Sequence, residues 1–203
     1  MLPLLPHAFA ELSEDFHTRQ NWEGFDNPFV VTENSDLKNE LGINNLSDQQ
    51  LLDIFNGTEK IESLKPLSMV YSGHQFGQYV EQLGDGRGLL LGQMSSNSGF
   101  IDIHLKGAGK TPYSRFGDGR AVLRSVIREY LCGEAMHALS IPTSRALMII
   151  GSDEMVIREK SESAAILART AKTHIRFGSF EYFHYNNQPE NVKALADFCI
   201  DQY

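Results

Sequence analysis

Cysteine is scarce in this chain of 203 residues, which contains only Cys132 and Cys199. Two thiols are too few for a disulfide scaffold or a cysteine-rich zinc cluster. The sequence has no run of about 18 apolar residues, so no membrane-spanning helix is expected. The N-terminus lacks the basic start of a secretory signal and turns acidic at Glu11. These features together favour a protein of the reducing cytoplasm.

Positive charge is also in short supply, with 18 Lys and Arg against 26 Asp and Glu and a net charge of −8. This balance argues against general binding to nucleic acid or to an anionic membrane. The cations are nevertheless concentrated, because residues 104–176 hold 12 basic and 7 acidic side chains, whereas residues 1–103 hold 5 and 15. The basic segment either pairs with the acidic N-terminal part or binds a small polyanion such as a nucleotide.

Apolar residues alternate with polar ones in the middle of the chain, which is typical of strands. Residues 79–83, 89–93 and 100–106 are each predicted to form a strand. Glycine-rich residues 84–88 separate the first two, and residues 95–99 separate the second and third. Short links favour antiparallel pairing. The pattern therefore predicts a three-stranded meander that ends at a lysine.

A polar, glycine-rich loop follows, and residues 120–139 are then predicted to form a helix. Glu129 lies in the middle of its apolar stripe, where an ionised carboxylate is costly unless a cation meets it. Lys106, at the end of the preceding strand, is the candidate partner. Strand, glycine turn, strand, lysine and helix glutamate follow one another as in the N-lobe of a protein kinase. The alternative is a structural ion pair or an exposed Glu129.

Further elements are indicated by local signals. An edge strand is predicted at 29–31, and a helix at 47–55 whose start carries a capping box of Ser47 and Gln50. A hairpin is predicted from strands at 145–150 and 155–158 around a turn at 151–154, a further strand at 164–169, and helices at 180–185 and 191–203. The fold class that follows is α+β.

Three other features leave alternatives open. The glycine turn joins two predicted strands, so it is not a dinucleotide fingerprint, and a plain hairpin turn competes with a ligand loop. Arg169 and Arg176 suit phosphate oxygens, but they could equally pair with carboxylates such as Glu159 or Glu181. His74 and His104 are expected to be structural, because no second ligand stands at a metal spacing.

Several unusual strings lie at residues 71–77, 82–88, 105–115, 118–125, 128–139, 141–143 and 174–178. They closely resemble the selenoprotein O family, and the resemblance covers most of residues 65–185. It implies a kinase-like, pseudokinase fold and protein adenylylation, in which AMP passes from ATP to Ser, Thr or Tyr hydroxyls of proteins with the help of Mg²⁺. It also implies that the nucleotide lies flipped relative to that of a kinase, with its α-phosphate open to attack.

The same resemblance assigns roles to residues at the matching positions. A glycine-rich loop would contact the nucleotide, a lysine held by a glutamate would neutralise phosphate oxygens, and two arginines would clamp the phosphates. An aspartate and its following glycine would belong to the same nucleotide site. The loop residues are Gly84, Gly86 and Arg87, and the lysine and its glutamate are Lys106 and Glu129. The two arginines are Arg169 and Arg176, and the aspartate and its following glycine are Asp118 and Gly119.

The family is longer than this chain and keeps its catalytic base and Mg²⁺ ligands in a following lobe. After Arg176 the acidic candidates are few and carry no such motif, so no catalytic or metal-binding residue is expected here, and metal ligands are expected beyond Tyr203. The chain is expected to be an N-terminal part, inactive alone.

We expect an N-terminal arm with a helical extension at 1–64, a kinase-like N-lobe at 65–160 and the start of a second lobe at 161–203. A kinase-like phosphotransferase and a non-catalytic nucleotide-binding or structural module are the alternative functions.

Overall fold

The computed structural model describes residues 2–96 and 99–203, which form a mixed α+β fold. Its helices are α1 (Ser35–Glu40), α2 (Asp48–Asn56), α3 (Leu123–Ala138), α4 (Phe177–Tyr185) and α5 (Pro189–Gln202), with a short 3-10 helix at Ala8–Glu11. Its strands are β1 (His17–Arg19), β2 (Pro28–Glu33), β3 (Leu67–Met69), β4 (Gly73–Gln75), β5 (Gln78–Val80), β6 (Gly88–Ser96), β7 (Gly99–Lys106), β8 (Ala121–Val122), β9 (Arg145–Ile157) and β10 (Ser161–Ala171).

One antiparallel sheet dominates the fold, with the strand order β1-β3-β6-β7-β10-β9-β2. The short β8 pairs with β10, while β4 and β5 form a separate two-stranded ribbon. β7 and β10 occupy the middle of the sheet. Polar side chains on these two strands therefore come from the centre of the sheet.

Helices cover both faces of the sheet, and the alternation along β10 shows how. Ala164, Ile166 and Ala168 belong to the core that includes the apolar side of α2. Ala165 and Leu167 belong to a second core with Val126 of α3 on the opposite face. Because successive side chains of a strand point to opposite faces, β10 is buried on both sides. This fixes α3 against the centre of the sheet.

The helix predicted at 47–55 is confirmed as α2. Ser47 Oγ accepts a hydrogen bond from Gln50 N at 3.2 Å, and Gln50 Oε1 accepts one from Ser47 N at 2.9 Å, so the capping box is present. The helix ends at Gly57, whose φ of 81° lies in the left-handed region that favours glycine.

The predicted meander is correct in its second half and wrong in its first. β6 and β7 form an antiparallel hairpin, although residues 97–98 of its predicted turn lie outside the described residues. The strand predicted at 79–83 does not pair with β6 across the glycine turn. Its ordered part, β5, pairs instead with β4, with His74 opposite Tyr79. The neighbour of β6 on that side is β3, which comes much earlier in the chain.

The hairpin predicted within 145–158 is also wrong, because β9 runs continuously through Gly151. This glycine makes room for a neighbour, since a Cβ atom there would lie 2.7 Å from the ring of Phe29 on β2. α3 begins at Leu123, three residues later than predicted, because Ala121 and Val122 pair with β10.

The edge strand at 29–31, the strand at 164–169 and the last two helices are confirmed as β2, β10, α4 and α5. None of the helices in the described ranges has the length and apolarity that a bilayer span requires.

Candidate functional site

A cavity of about 480 Å³ lies between the glycine turn 84–88, the end of β7, the loop 107–120 and the start of α4. Its volume falls within the range usual for small-molecule sites. Seven basic and two acidic side chains line it, so it is strongly cationic in an acidic chain. The basic residues are Arg87, Lys106, Arg115, Arg120, Arg158, Arg169 and Arg176, and the acidic ones are Asp85 and Asp118.

Lys106 and Glu129 form the ion pair that the sequence predicted. β7 ends at Lys106, and α3 packs across the sheet so that Glu129 meets the lysine ammonium. The other carboxylate oxygen of Glu129 accepts a hydrogen bond from Arg169 Nη1 at 2.7 Å. One glutamate thus holds two cations that come from neighbouring central strands.

The environment keeps Glu129 ionised. Partial burial works to raise the pKa of Glu129, but the charges of Arg169 and Lys106 outweigh it and hold the pKa below its usual range. Burial lowers the pKa of Lys106, and the charges of Arg169 and Arg87 lower it further. The charge of Glu129 acts in the opposite direction but does not outweigh them. The lysine is therefore a desolvated cation among other cations, which an incoming anion would stabilise.

Arg169 and Arg176 line the same cavity. Arg169 lies opposite His104 in the pairing of β10 with β7, and its Nε atom has no hydrogen-bond partner among the residues that the structure describes. Arg176 precedes α4; its guanidinium lies 4.3 Å from the centre of the Tyr71 ring and donates to the carbonyl of His174 at 2.7 Å.

The carboxylates suggested from sequence as partners of these arginines are the wrong ones. Glu129 pairs with Arg169 instead, and Asp85 lies 3.6 Å from Arg176 Nη2. The ion-pair alternative thus holds in part for both arginines, while both guanidinium groups still border the cavity.

The glycine turn borders the cavity as well, but its glycines are required by a neighbouring loop. Gly84 has a φ of 58°, and a Cβ atom there would lie 2.5 Å from the side chain of Tyr113. A Cβ atom at Gly86 would lie 2.8 Å from the carbonyl oxygen of Tyr113. Ser114 Oγ donates to the carbonyl of Gly86 at 2.6 Å and ties the two segments together. Arg87, within the turn, is exposed.

Asp85 is the main site residue that sequence reasoning missed. It is buried beneath the glycine turn, where its carboxylate accepts hydrogen bonds from Met69 N at 3.1 Å and from the Tyr71 hydroxyl at 3.2 Å. Burial works to raise its pKa, but His104, Arg176 and the Met69 amide hold the pKa below its usual range. An aspartate between two glycines is typical of an exposed turn, so no local signal indicated burial.

His104 and His174 form a buried layer behind the arginines. Their rings stack with centroids 4.5 Å apart, and His174 Nδ1 lies 3.0 Å from a carboxylate oxygen of Asp102. Burial and the charge of Arg169 lower the pKa of His104 to about 3, despite Asp85. Both histidines are structural in this arrangement, as expected from the sequence for His104. His74, by contrast, lies on the surface ribbon.

Asp118 and Gly119 also border the cavity. The Asp118 carboxylate is engaged by Arg158, with N–O distances of 2.6 and 2.8 Å. Gly119 has a φ of 75°, and a Cβ atom there would lie 2.1 Å from the Gly109 carbonyl oxygen. Only glycine fits this crossing of the loop. Arg158 was not predicted as a site residue, because its place depends on the far end of β9.

The described residues fit a polyanionic nucleotide better than a resident metal ion. Within residues 2–96 and 99–203, no group of three His, Cys, Asp or Glu side chains is placed to hold a metal. The two acidic residues of the cavity already bind protein groups, Asp85 under the glycine turn and Asp118 at Arg158. The abundant cations are instead suited to phosphate oxygens.

Comparison with known proteins agrees with this chemistry. The family model described as "Protein adenylyltransferase SelO" matches residues 5–203. The chain belongs to this family. Similar curated proteins include one named "Protein nucleotidyltransferase YdiU" from Vibrio parahaemolyticus, which is 50% identical over 196 residues, or 96% of this chain. A protein of the same name from Yersinia pseudotuberculosis is 47% identical over 203 residues, or 99% of this chain.

The curated relatives are longer than this chain. The matches cover 40% of the Vibrio parahaemolyticus protein and 42% of the Yersinia pseudotuberculosis protein. The chain thus spans about two fifths of the length of the curated relatives it matches.

Proposed function

We propose that the basic cavity binds ATP and that the chain supplies the nucleotide site of a protein adenylyltransferase, which transfers AMP to Ser, Thr or Tyr hydroxyls of proteins. The observation that carries the proposal is the grouping of Lys106, Arg169 and Arg176 around one cavity in a chain of this family. The predicted nucleotide-site residues are all kept in this proposal, with Glu129 positioning Lys106: Gly84, Gly86, Arg87, Lys106, Asp118, Gly119, Glu129, Arg169 and Arg176.

The cations have distinct roles in this proposal. Lys106 neutralises phosphate oxygens, while Glu129 orients both Lys106 and Arg169. Arg169 is held at the cavity wall by Glu129, and Arg176 is steadied by the Tyr71 ring, so both can direct positive charge at a phosphate. Fixed cations in a partly desolvated cavity stabilise charge without needing to reorganise.

In the proposed reaction, a protein hydroxyl attacks the α-phosphorus of ATP. The bond from the α-phosphorus to the bridging oxygen breaks, and pyrophosphate leaves while the hydroxyl proton is lost. The flipped orientation of the nucleotide would place the β- and γ-phosphates on Lys106, Arg169 and Arg176, which hold the charge that grows on the leaving pyrophosphate. Mg²⁺ and the proton acceptor are proposed to be held by residues beyond Tyr203.

The kinase-like architecture belongs to the same proposal. β6, β7 and α3 correspond to the strand, lysine strand and glutamate helix of a kinase N-lobe, with an N-terminal arm at 1–64 and a second lobe that starts within 161–203. Cytoplasmic location is proposed from the scarcity of cysteine alone.

The reaction is tested with ATP labelled at either the α- or the γ-phosphate, in a full-length family member that carries this segment. We expect protein to acquire the α-label and Lys106→Ala to abolish labelling, because phosphate charge is then left without its lysine. Lys106→Arg retains a cation and serves as a control for overall charge. Transfer of the γ-label would contradict adenylylation.

A kinase-like phosphotransferase is the second candidate function, since the Lys106–Glu129 pair is one that kinases also use. Transfer of the γ-label would establish it. If ATP binds to the cavity but neither label is transferred, the third reading, a non-catalytic nucleotide-binding module, applies instead.

A further inference from the structure

A second cavity lies between the β4–β5 ribbon and α4, and it shares no lining residue with the basic cavity. Its volume is about 700 Å³, and its walls carry three aromatic rings and two carboxylates. The lining residues are His74, Tyr79, Glu81, Glu181 and Tyr185. We call it the acidic aromatic cavity.

The backbone explains why these side chains converge. His74 and Tyr79 are directly opposite each other in the ribbon, so their side chains share one face. Glu181 and Tyr185 are four residues apart on α4, so they share one face of the helix. Tyr79 contacts Tyr185 and brings the two faces together.

The rings stand edge to face rather than collapsing onto one another. The centroids of His74 and Tyr79 are 5.4 Å apart at an angle of 62° between ring planes. Those of Tyr79 and Tyr185 are 5.5 Å apart at 80°. The rings stand at steep angles to one another, and Tyr79 and Tyr185 stay 41% and 61% exposed, so part of their ring surface is accessible to a ligand.

The carboxylates of this cavity have no ion-pair partner within the described part of the chain. Neither Glu81 nor Glu181 makes an ion pair with any residue in the described ranges, whereas most carboxylates near the basic cavity are paired. Two uncompensated negative charges beside aromatic faces repel an anion and attract a cation. Ring quadrupoles add to the attraction, since their faces are negative.

We propose that the acidic aromatic cavity binds the guanidinium or ammonium group of a basic side chain on a protein ligand. An Arg or Lys side chain matches both parts of the wall. Its apolar stem covers the tyrosine rings while its charged head reaches the carboxylates. Binding here does not require the basic cavity to transfer AMP, so the two proposals stand or fall separately.

The test is a titration of the 203-residue chain with N-acetyl-arginine methylamide, followed by NMR signals of the rings of His74, Tyr79 and Tyr185. The citrulline analogue is the matched control, because it has nearly the same shape without the charge. We expect the arginine compound to shift these signals in a saturable manner and the citrulline compound to bind several-fold more weakly.

Variants locate the interaction. Glu81→Gln with Glu181→Gln is expected to weaken arginine binding about 3- to 10-fold, as two exposed charge contacts would. Tyr79→Ala is expected to weaken it roughly 2- to 5-fold through loss of a ring face, and Tyr79→Phe to keep most of the affinity. Glu62→Gln with Glu190→Gln removes the same charge from exposed positions elsewhere and is expected to leave binding unchanged.

Three results would overturn the proposal. Equal responses to arginine and citrulline would show that charge is not recognised. Equal weakening by the Glu62 and Glu190 control would show that only net charge matters. Tighter binding of free tetramethylammonium than of the arginine compound would point to a small quaternary ammonium ligand instead of a protein side chain.

Discussion

Arginine is used in two different ways in this fold, between β9 and α3 and at the basic cavity. Arg145, on β9, is held between two carboxylates, with N–O distances of 3.0 and 2.7 Å to Glu134 and 2.9 Å to Glu40. Arg176, at the basic cavity, has one carboxylate neighbour at 3.6 Å and rests on the ring of Tyr71. A guanidinium with both edges occupied stabilises the fold, whereas one with free donors can still bind a ligand.

Arg169 shows how the second kind is kept in place without being saturated. One of its terminal nitrogens donates to Glu129, while its Nε atom has no partner in the described ranges. We therefore predict that substitution of Arg145 lowers stability, whereas substitution of the arginines at the basic cavity lowers nucleotide affinity.

The largest effect is expected for Arg145→Ala. It leaves Glu134 partly buried without its cation, and we expect a loss of about 3 kcal/mol in the free energy of unfolding. The ratio of ATP affinity to adenosine affinity should not change. Urea denaturation and calorimetric titration measure the two quantities.

Lys65→Ala is the control for that variant, because Lys65 makes a single ion pair with Glu11 in which both side chains are exposed. A loss of about 0–1 kcal/mol is expected there. Equal destabilisation by the two variants would mean that the pairing of Arg145 with Glu134 and Glu40 stabilises the fold no more than an exposed ion pair does.

Arg176→Ala is expected to have the opposite profile. One charge-assisted hydrogen bond contributes roughly 1.5–3 kcal/mol, so ATP affinity should fall about 10- to 100-fold. Adenosine affinity should change little, because adenosine has no phosphate, and Arg176→Lys should restore part of the loss. An unchanged ATP-to-adenosine ratio, together with a lower melting temperature, would assign Arg176 to the structural class with Arg145.

A smaller effect is expected from pH, through the layer behind the cavity. Because the pKa of His104 is about 3 in the fold, only the unfolded chain takes up this proton between about pH 6.5 and pH 3. Stability from this group is present above about pH 6.5 and declines as the pH falls, by up to about 1.4 kcal/mol per pH unit. Urea denaturation from pH 8 to pH 5 measures this slope.

His104→Asn should make that dependence shallower, since this side chain no longer titrates, while His17 and His174, whose pKa values burial also lowers, continue to contribute. His137→Asn, at an exposed position on α3, is the control. A slope that stays the same in His104→Asn would show that His104 is not the group responsible.

Local sequence signals predicted the elements that are held together locally. The capping box of Ser47 and Gln50 and the glycine end of α2 lie within one helix, so their pattern is readable without knowledge of the rest of the chain. The β6–β7 hairpin and the Lys106–Glu129 pair were also predictable, because strand alternation and a carboxylate on an apolar helix stripe are local features.

Long-range pairing accounts for the errors. The turn residues at 151–154 resemble a hairpin end, yet β9 continues because it pairs with β2 on one side and β10 on the other. The glycine turn likewise contains a buried Asp85 because β3 and Tyr71 approach it from a distant segment. No spacing within the turn shows which strand will lie beside it.

The most direct test of the central claim, that the basic cavity holds the phosphates of a nucleotide, is one calorimetric series. The chain is titrated with adenosine, AMP, ADP and ATP at low and at moderate salt. We predict that affinity rises with each added phosphate and that the advantage of ATP shrinks as salt screens the charges. Adenosine binding as tightly as ATP, or no binding by any member of the series, would contradict the account.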